Sequence, residues 1–295
     1  MKKSSAFTIL ELSAVLVVIG ILILGIMKGV GLVEASRIGN ARTLTTKSPI
    51  AEIDGLVAWW ETSLKESILE NQAVDSGQIS EWRDISPNSI IGGKNKLTKT
   101  ASSAVIFKTD GINKIPSIQF SGASTAKISL SSFYQGSLAQ STVILVLRPT
   151  AAVSTSVIFD GGASTTNSIA LNSDSVQLNA GSSVTTATTN NPAAFVTGKD
   201  YILATYFNAT TSQVFVNNAD SRIGLDTSDG SPDGILSAGT NTLSGVTLGS
   251  NIAASSRFTG MISEIIIYNR PLKLQERKDI FKYLSRKYSI NVVGI

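Results

Sequence analysis

Thr142-Val143-Ile144-Leu145-Val146-Leu147-Arg148 holds five consecutive apolar residues, Val143 to Leu147, between a Thr and an Arg. Three of the five are β-branched. A run this short and this apolar reads as a central strand of a sheet. Similar short runs lie on both sides of it, at 115–120, 156–159, 168–171, 175–178, 201–207, 213–216, 246–248 and 261–268, separated by Gly, Ser, Asn and Asp. Many short strands with turn residues between them, and no helices alternating with them, predict an antiparallel sandwich rather than βαβ units. One further helix is predicted over 271–288, opened by Pro271. Leu274, Phe281, Leu284 and Tyr288 form one face of it and Lys and Arg fill the other, as in a helix lying on the sandwich surface.

The inventory narrows the chemistry. The 295-residue chain has no Cys and no His, which excludes disulfides, thiol nucleophiles, zinc fingers and a Ser-His-Asp triad. Hydrophobic residues make up 42% and charged residues 16%, enough apolar content for a substantial core. The net charge is +4 without a dense Lys/Arg patch, so no nucleic-acid partner is expected. The length accommodates a leader, a stalk and one large β domain, or two small domains.

The first fifty residues differ from the rest. Met1 to Ala6 is short and basic, and Phe7 to Met27 carries a single charge, Glu11. Twenty-one residues span a bilayer as a helix at about 1.5 Å per residue. Lys2 and Lys3 orient the N-terminal side to the cytoplasm, so the chain after Lys28 is expected to be exported. A secretory signal places its small-residue cleavage site after the apolar stretch; here the small residue, Ala6, stands before it. Val30, Val33, Ile38 and Leu44 extend the helix as a half-buried amphipathic segment up to Pro49. Gly20, Gly25, Gly29 and Gly31 lower its intrinsic propensity and suit either close helix packing or local melting. A carboxylate inside a membrane segment costs about 2.5–3.5 kcal/mol and calls for a partner or for snorkelling to the interface.

Ala6-Phe7-Thr8-Ile9-Leu10-Glu11-Leu12 resembles the prepilin processing motif of type IV pilin-like proteins, G-F-T-L-I-E-L in its common form, with Ala6 in place of Gly. The resemblance implies cleavage between Ala6 and Phe7 by a prepilin peptidase and N-methylation of Phe7. It makes Glu11 the assembly carboxylate, paired with the N-terminal amine of a neighbouring subunit. Two such buried charges in adjacent helices are tolerable only together. It further implies other pilin or pseudopilin subunits and the bacterial inner membrane as partners, with the head exported to the periplasm or a cell-surface filament.

A second resemblance covers 55–290. Gly55-Leu56-Val57-Ala58-Trp59-Trp60, Ile79 to Ser86 (V-x-x-W-x-D-x-S), Asn113 to Gly122 (N-G-x-P-x-I-x-F-D-G, with Ser121 for Asp) and Phe258 to Ile265 (F-x-G-x-I-x-E-I) are similar to segments of laminin-G-like, concanavalin A-like jelly rolls. The expected organisation is a leader at 1–6, a transmembrane and stalk helix at 7–48, a linker at 49–54 and the sandwich at 55–290. The fold class is mainly β, with a long N-terminal helix and a C-terminal surface helix.

Glucanases of that superfamily carry E-x-D-x-x-E on one strand. Glu52-Ile53-Asp54 begins the pattern but Gly55-Leu56-Val57 breaks it, and Glu264 and Glu276 stand isolated, so the chain is expected not to be an enzyme. Asp226, Asp229 and Asp233 crowd a Gly-containing loop that could ligate Ca²⁺, though the same residues form solvated turns, which is the preferred reading; Asp160-Gly161-Gly162 is read as a strand-end turn. Trp59, Trp60 and Trp82 could stack on sugars but are placed in the core. The expected function is a pilin-like or pseudopilin subunit whose lectin-like head binds a glycan or surface protein. The alternatives are an anchored polysaccharide-acting enzyme and an adaptor pseudopilin of a secretion system.

Overall fold

The computed structural model describes residues 8–87, 89, 94–99, 105–161, 167–181, 184–188, 195–224 and 235–295. Helix α1 spans Ile9–Thr46. Thr8 caps it: its hydroxyl accepts the Glu11 N–H at 3.2 Å while the Glu11 carboxylate accepts the Thr8 N–H at 2.9 Å, a reciprocal capping box. Gly20, Gly25, Gly29 and Gly31 leave the helix unbroken, and beyond their chain neighbours and the local helix backbone no atom lies within 4 Å of where their Cβ would be. Val33 is exposed, and the helix meets the rest of the protein only from about Ile38 onward, where Ala41 and Thr45 are buried. Pro49 follows in a 3-10 turn, Pro49–Glu52, whose Ile50 is fully buried, so the segment read as a linker is anchored.

The strands are β1 (Leu56–Glu61), β2 (Gly77–Gln78), β3 (Glu81–Trp82), β4 (Leu97–Lys99), β5 (Val105–Lys108), β6 (Ser117–Ser121), β7 (Ile128–Leu130) and β8 (Ser141–Pro149). They continue with β9 (Ser156–Asp160), β10 (Ser168–Leu171), β11 (Ser175–Asn179), β12 (Thr185–Thr188), β13 (Tyr201–Phe207), β14 (Gln213–Val216), β15 (Val246–Leu248) and β16 (Thr259–Tyr268); helix α2 is Leu274–Tyr288. One sheet runs β14-β13-β8-β16-β6-β5-β2, with β1 beside β16; the other runs β12-β11-β10-β9-β15-β7-β4-β3. Each paired ladder between these strands is antiparallel. The architecture is the mainly β sandwich expected from the sequence.

The apolar run around Val143 has a direct cause. Val143, Leu145 and Leu147 of β8 point into the core between the sheets, while Ile144 and Val146 point into a second core under α2. In β13, Leu203 faces the first core and Ile202 and Ala204 the second. The first sheet is therefore a middle layer, and its strands are apolar on both faces. Ile280, Phe281, Leu284 and Tyr288 of α2 fill the second core, each burial contributing about 1.5–3 kcal/mol.

Two details of α2 depart from the sequence reading. It begins at Leu274, which is exposed, rather than at Pro271. Its cationic face is not wholly solvated: Arg277 and Lys287 are buried. Arg277 lies over the Phe215 ring at 3.9 Å and donates from Nε to the Ala219 carbonyl at 2.7 Å, so the guanidinium is satisfied without a carboxylate.

Candidate functional site

Among the described residues, the places that concentrate polar chemistry include the following three. The first is the start of α1. Ala6 and Phe7 lie outside the described residues. Glu11 is exposed among exposed Ile9, Leu10, Leu12, Val15 and Leu16, and its carboxylate also accepts the Thr8 hydroxyl at 2.9 Å. This helix is long and apolar enough, by length and composition, to cross a membrane.

The second place is buried where α1, the middle sheet and α2 meet. β1 and β16 run antiparallel with Glu61 directly opposite Glu264. Lys287 of α2 reaches between them, its Nζ 2.9 Å from Glu61 Oε2 and 2.8 Å from Glu264 Oε2, and all three side chains are 0% exposed. The same ammonium lies 2.8 Å from Thr45 Oγ1 of α1 and 3.1 Å from the Tyr283 hydroxyl. Glu264 accepts further bonds from Trp59 Nε1 at 2.8 Å, the Tyr283 hydroxyl at 2.8 Å and the Tyr288 hydroxyl at 2.9 Å. Glu61 Oε1 accepts the Leu64 N–H at 2.6 Å and the Ser67 hydroxyl at 2.9 Å; its Oε2 accepts the Ser63 N–H at 2.8 Å. Burial pushes the Glu61 carboxyl up, but the Lys287 charge and the Ser63 and Leu64 donors outweigh it and hold the group below its ordinary range. Burial likewise pulls the Lys287 ammonium down, and the charges of Glu264 and Glu61 more than reverse this.

The third place is a surface depression of about 640 Å³ beside β3. Leu64 and Ile85 line it with Glu66, Glu81, Arg83, Asp84 and Lys96. Glu81 holds both cations, Arg83 Nη2 at 2.6 Å and Lys96 Nζ at 2.8 Å, and the Lys96 and Arg83 bonds outweigh its partial burial to keep its carboxyl low. Asp84 behaves in the opposite sense. Its Oδ1 accepts the N–H groups of Trp59 and Ser86, both at 2.8 Å, and its Oδ2 accepts Asn95 Nδ2 at 3.2 Å. Burial nevertheless dominates and raises its pKa to about 6.

The three tryptophans are buried, as the sequence suggested. Trp60 and Trp82 send their indole N–H groups to the Asn95 and Glu61 carbonyls at 2.9 and 2.7 Å. Tyr134 is instead an exposed aromatic, with Lys94 Nζ 3.5 Å from its ring centroid. Asp226, Asp229 and Asp233 lie outside the described residues. Among the described residues no cluster of three or more acidic side chains is arranged to hold a metal. Asp160 ends β9 and accepts the Gly161 and Ile252 N–H groups, both at 2.9 Å; Gly162 lies outside the described residues.

Glu264 and Glu276, isolated in sequence, are not isolated in space. Glu276 makes a bidentate pair with Arg270 at 2.8 Å, and Glu264 faces Glu61. Sequence reading missed Glu61, Thr45, Tyr283 and Lys287. Their signal was a carboxylate at the end of V-A-W-W and another inside I-S-E-I-I-I, each in a strand too apolar to leave a charge unpaired.

The fold is an antiparallel jelly-roll-type sandwich with a long N-terminal helix. No protein-family model matches the chain, and no curated protein matches it. Among solved structures it is similar to domain 4 of AbnA, a GH43 extracellular arabinanase from Geobacillus stearothermophilus, in complex with arabinotriose. The identity is 17%, 77% of this chain and 98% of that chain are covered, and the TM-score is 0.52. It is also similar to the Trypanosoma rangeli sialidase (11% identity, 89% of this chain and 39% of that chain, TM-score 0.51) and to the binding domain of botulinum neurotoxin serotype D/C (12%, 78% and 52%, TM-score 0.51). The chain thus spans about two-fifths of the sialidase and half of the toxin domain. These matches overturn one expectation from the sequence: chains of glycoside-cleaving enzymes share the fold, so the conclusion that the protein is not an enzyme does not stand.

Proposed function

We propose that the chain is a type IV pilin-like subunit, anchored by α1, whose sandwich head binds a glycan outside the cytoplasm. The observation that carries the first half is the continuous helix from Ile9 with one carboxylate, Glu11, four residues after Phe7 in an otherwise apolar stretch. A carboxylate at that depth is costly to leave without a cationic partner. The N-terminal amine of a neighbouring subunit cleaved before Phe7 supplies one. Thr8 and Glu11 satisfy each other within one chain, which lowers the cost of holding the carboxylate before a neighbour arrives.

The glycan half takes its support from the depression beside β3, whose lining combines apolar Leu64 and Ile85 with hydrogen-bonding side chains, and from the arabinotriose bound to the similar AbnA domain. The test of the anchor is the N-terminal residue of the protein after expression with a prepilin peptidase. N-methyl-Phe7 is expected, and a chain retaining Met1 to Ala6 would sink the reading. Glu11→Lys is expected to abolish recovery in sheared filaments. For the head, a glycan array probed with the detergent-solubilised chain should give binding that Glu81→Ala weakens.

A further inference from the structure

We propose that Lys287 and Glu61 form an intramolecular amide cross-link, made by the protein itself with Glu264 as the proton carrier. Four observations converge on this, none of which depends on the filament reading.

The reacting groups are already together. The Lys287 nitrogen lies 2.9 Å from a Glu61 oxygen in a site closed to solvent, so the condensation is intramolecular. The Glu61 carboxyl is also polarised. The Leu64 N–H and the Ser67 hydroxyl converge on Oε1 at 2.6 and 2.9 Å, where negative charge develops in a tetrahedral intermediate. A base stands beside the nitrogen: Glu264 Oε2 is 2.8 Å from Lys287 Nζ, and Trp59, Tyr283 and Tyr288 hold that carboxylate in place. Finally, the cluster buries two carboxylates against one ammonium. Turning the ammonium and one carboxylate into a neutral amide removes two buried charges and leaves the Glu264 carboxylate to its Trp59, Tyr283 and Tyr288 donors.

The step balances within the cluster. The ammonium gives one proton to Glu61 Oε2, and the resulting amine attacks the Glu61 carboxyl carbon through its nitrogen lone pair. Glu264 takes a second proton from the nitrogen and passes it to Oε2. The C–Oε2 bond breaks, Oε2 leaves as water, and the amide nitrogen keeps its last hydrogen. Glu264 returns to its starting carboxylate, and nothing is oxidised or reduced. Both carboxylates carry two neutral donors on Oε1, and Glu61 is the acceptor because one of its pair is a fixed backbone N–H, that of Leu64, whereas the donors on Glu264 are all side chains.

The product would tie the end of β1 to α2 and enclose nearly the whole sandwich in a covalent ring, in a chain that has no Cys for a disulfide. The test is the intact mass of the full chain, purified in detergent and measured under denaturing conditions. The expected mass is lighter than the sequence by one water, with a branched peptide joining the segments that carry Glu61 and Lys287. Lys287→Arg keeps the charge and restores the full mass. Glu264→Gln, folded by circular dichroism, slows or stops the loss of water. A wild-type chain that keeps its full mass after prolonged incubation overturns the proposal, and a branch mapped to Glu264 overturns the choice of acceptor.

Discussion

Asp84→Asn should change the sign of its own effect between pH 4 and pH 7. Burial raises the Asp84 pKa from 3.8 to about 6, against the pull of three hydrogen-bond donors. The folded state therefore binds more protons than the unfolded state between these values, and this group's contribution to stability falls as pH rises from about 4 through 6. A shift of about two units at roughly 1.4 kcal/mol per unit makes the change about 3 kcal/mol. Asn keeps the oxygen that accepts the Trp59 and Ser86 N–H groups, since both bonds go to Oδ1. Its amide turns an N–H toward Asn95 Nδ2 and loses that bond, at about 1 kcal/mol independent of pH. The variant should be about 1 kcal/mol less stable than the wild type at pH 4 and about 2 kcal/mol more stable at pH 7. Urea unfolding of both proteins across this range, followed by tryptophan fluorescence, reads the difference directly because all three tryptophans are buried. A difference that does not change with pH, or one in which the variant falls further behind as pH rises, refutes the reasoning.

Phe281→Ala removes a fully buried ring from the core under α2 and should cost about 3–5 kcal/mol, visible as a lower denaturation midpoint with an unchanged slope. Gly249 has φ +86°, and a Cβ there would come within 2.3 Å of Phe120 Cδ1, so Gly249→Ala should lower stability by about 1–3 kcal/mol or more in thermal unfolding. The Arg270–Glu276 pair is partly exposed, and a double-mutant cycle should return about 1 kcal/mol at pH 7. Hydrogen bonding to Arg270 lowers the Glu276 pKa, so this coupling should be lost as pH falls through the folded-state value and the carboxylate is protonated.

The strands that could be read from sequence were those with enough apolar residues to establish a period. β8, β13 and β16 belong to the middle layer and carry the longest apolar runs, and all three were anticipated. β2 and β3 are two residues long, too short for any alternation to register, while β4 and β7, at three, were missed although β15 of the same length was read. β12 is Thr-Thr-Ala-Thr at a sheet edge, where polar residues are as acceptable as apolar ones. The buried cluster was hidden for a different reason. Charge was taken as a sign of the solvated face of α2, yet Lys287 earns its burial from Glu61, 226 residues earlier, and from Glu264 on a neighbouring strand. Nothing local in Arg-Lys-Tyr announces such partners. The surface depression likewise draws Leu64 from the segment after β1, Glu81 from β3 and Lys96 from just before β4.

The length of α1 also works as a ruler. The apolar stretch ends at Met27 and the first buried contact with the head is Ala41, fourteen residues later. At about 1.5 Å per residue, a head docked on this helix stands about 20 Å clear of the hydrocarbon when the first stretch spans a bilayer. Buried Thr45 and Ile50 tie the end of the helix to the sandwich, so the tilt of the rod and the orientation of the head are linked at that junction.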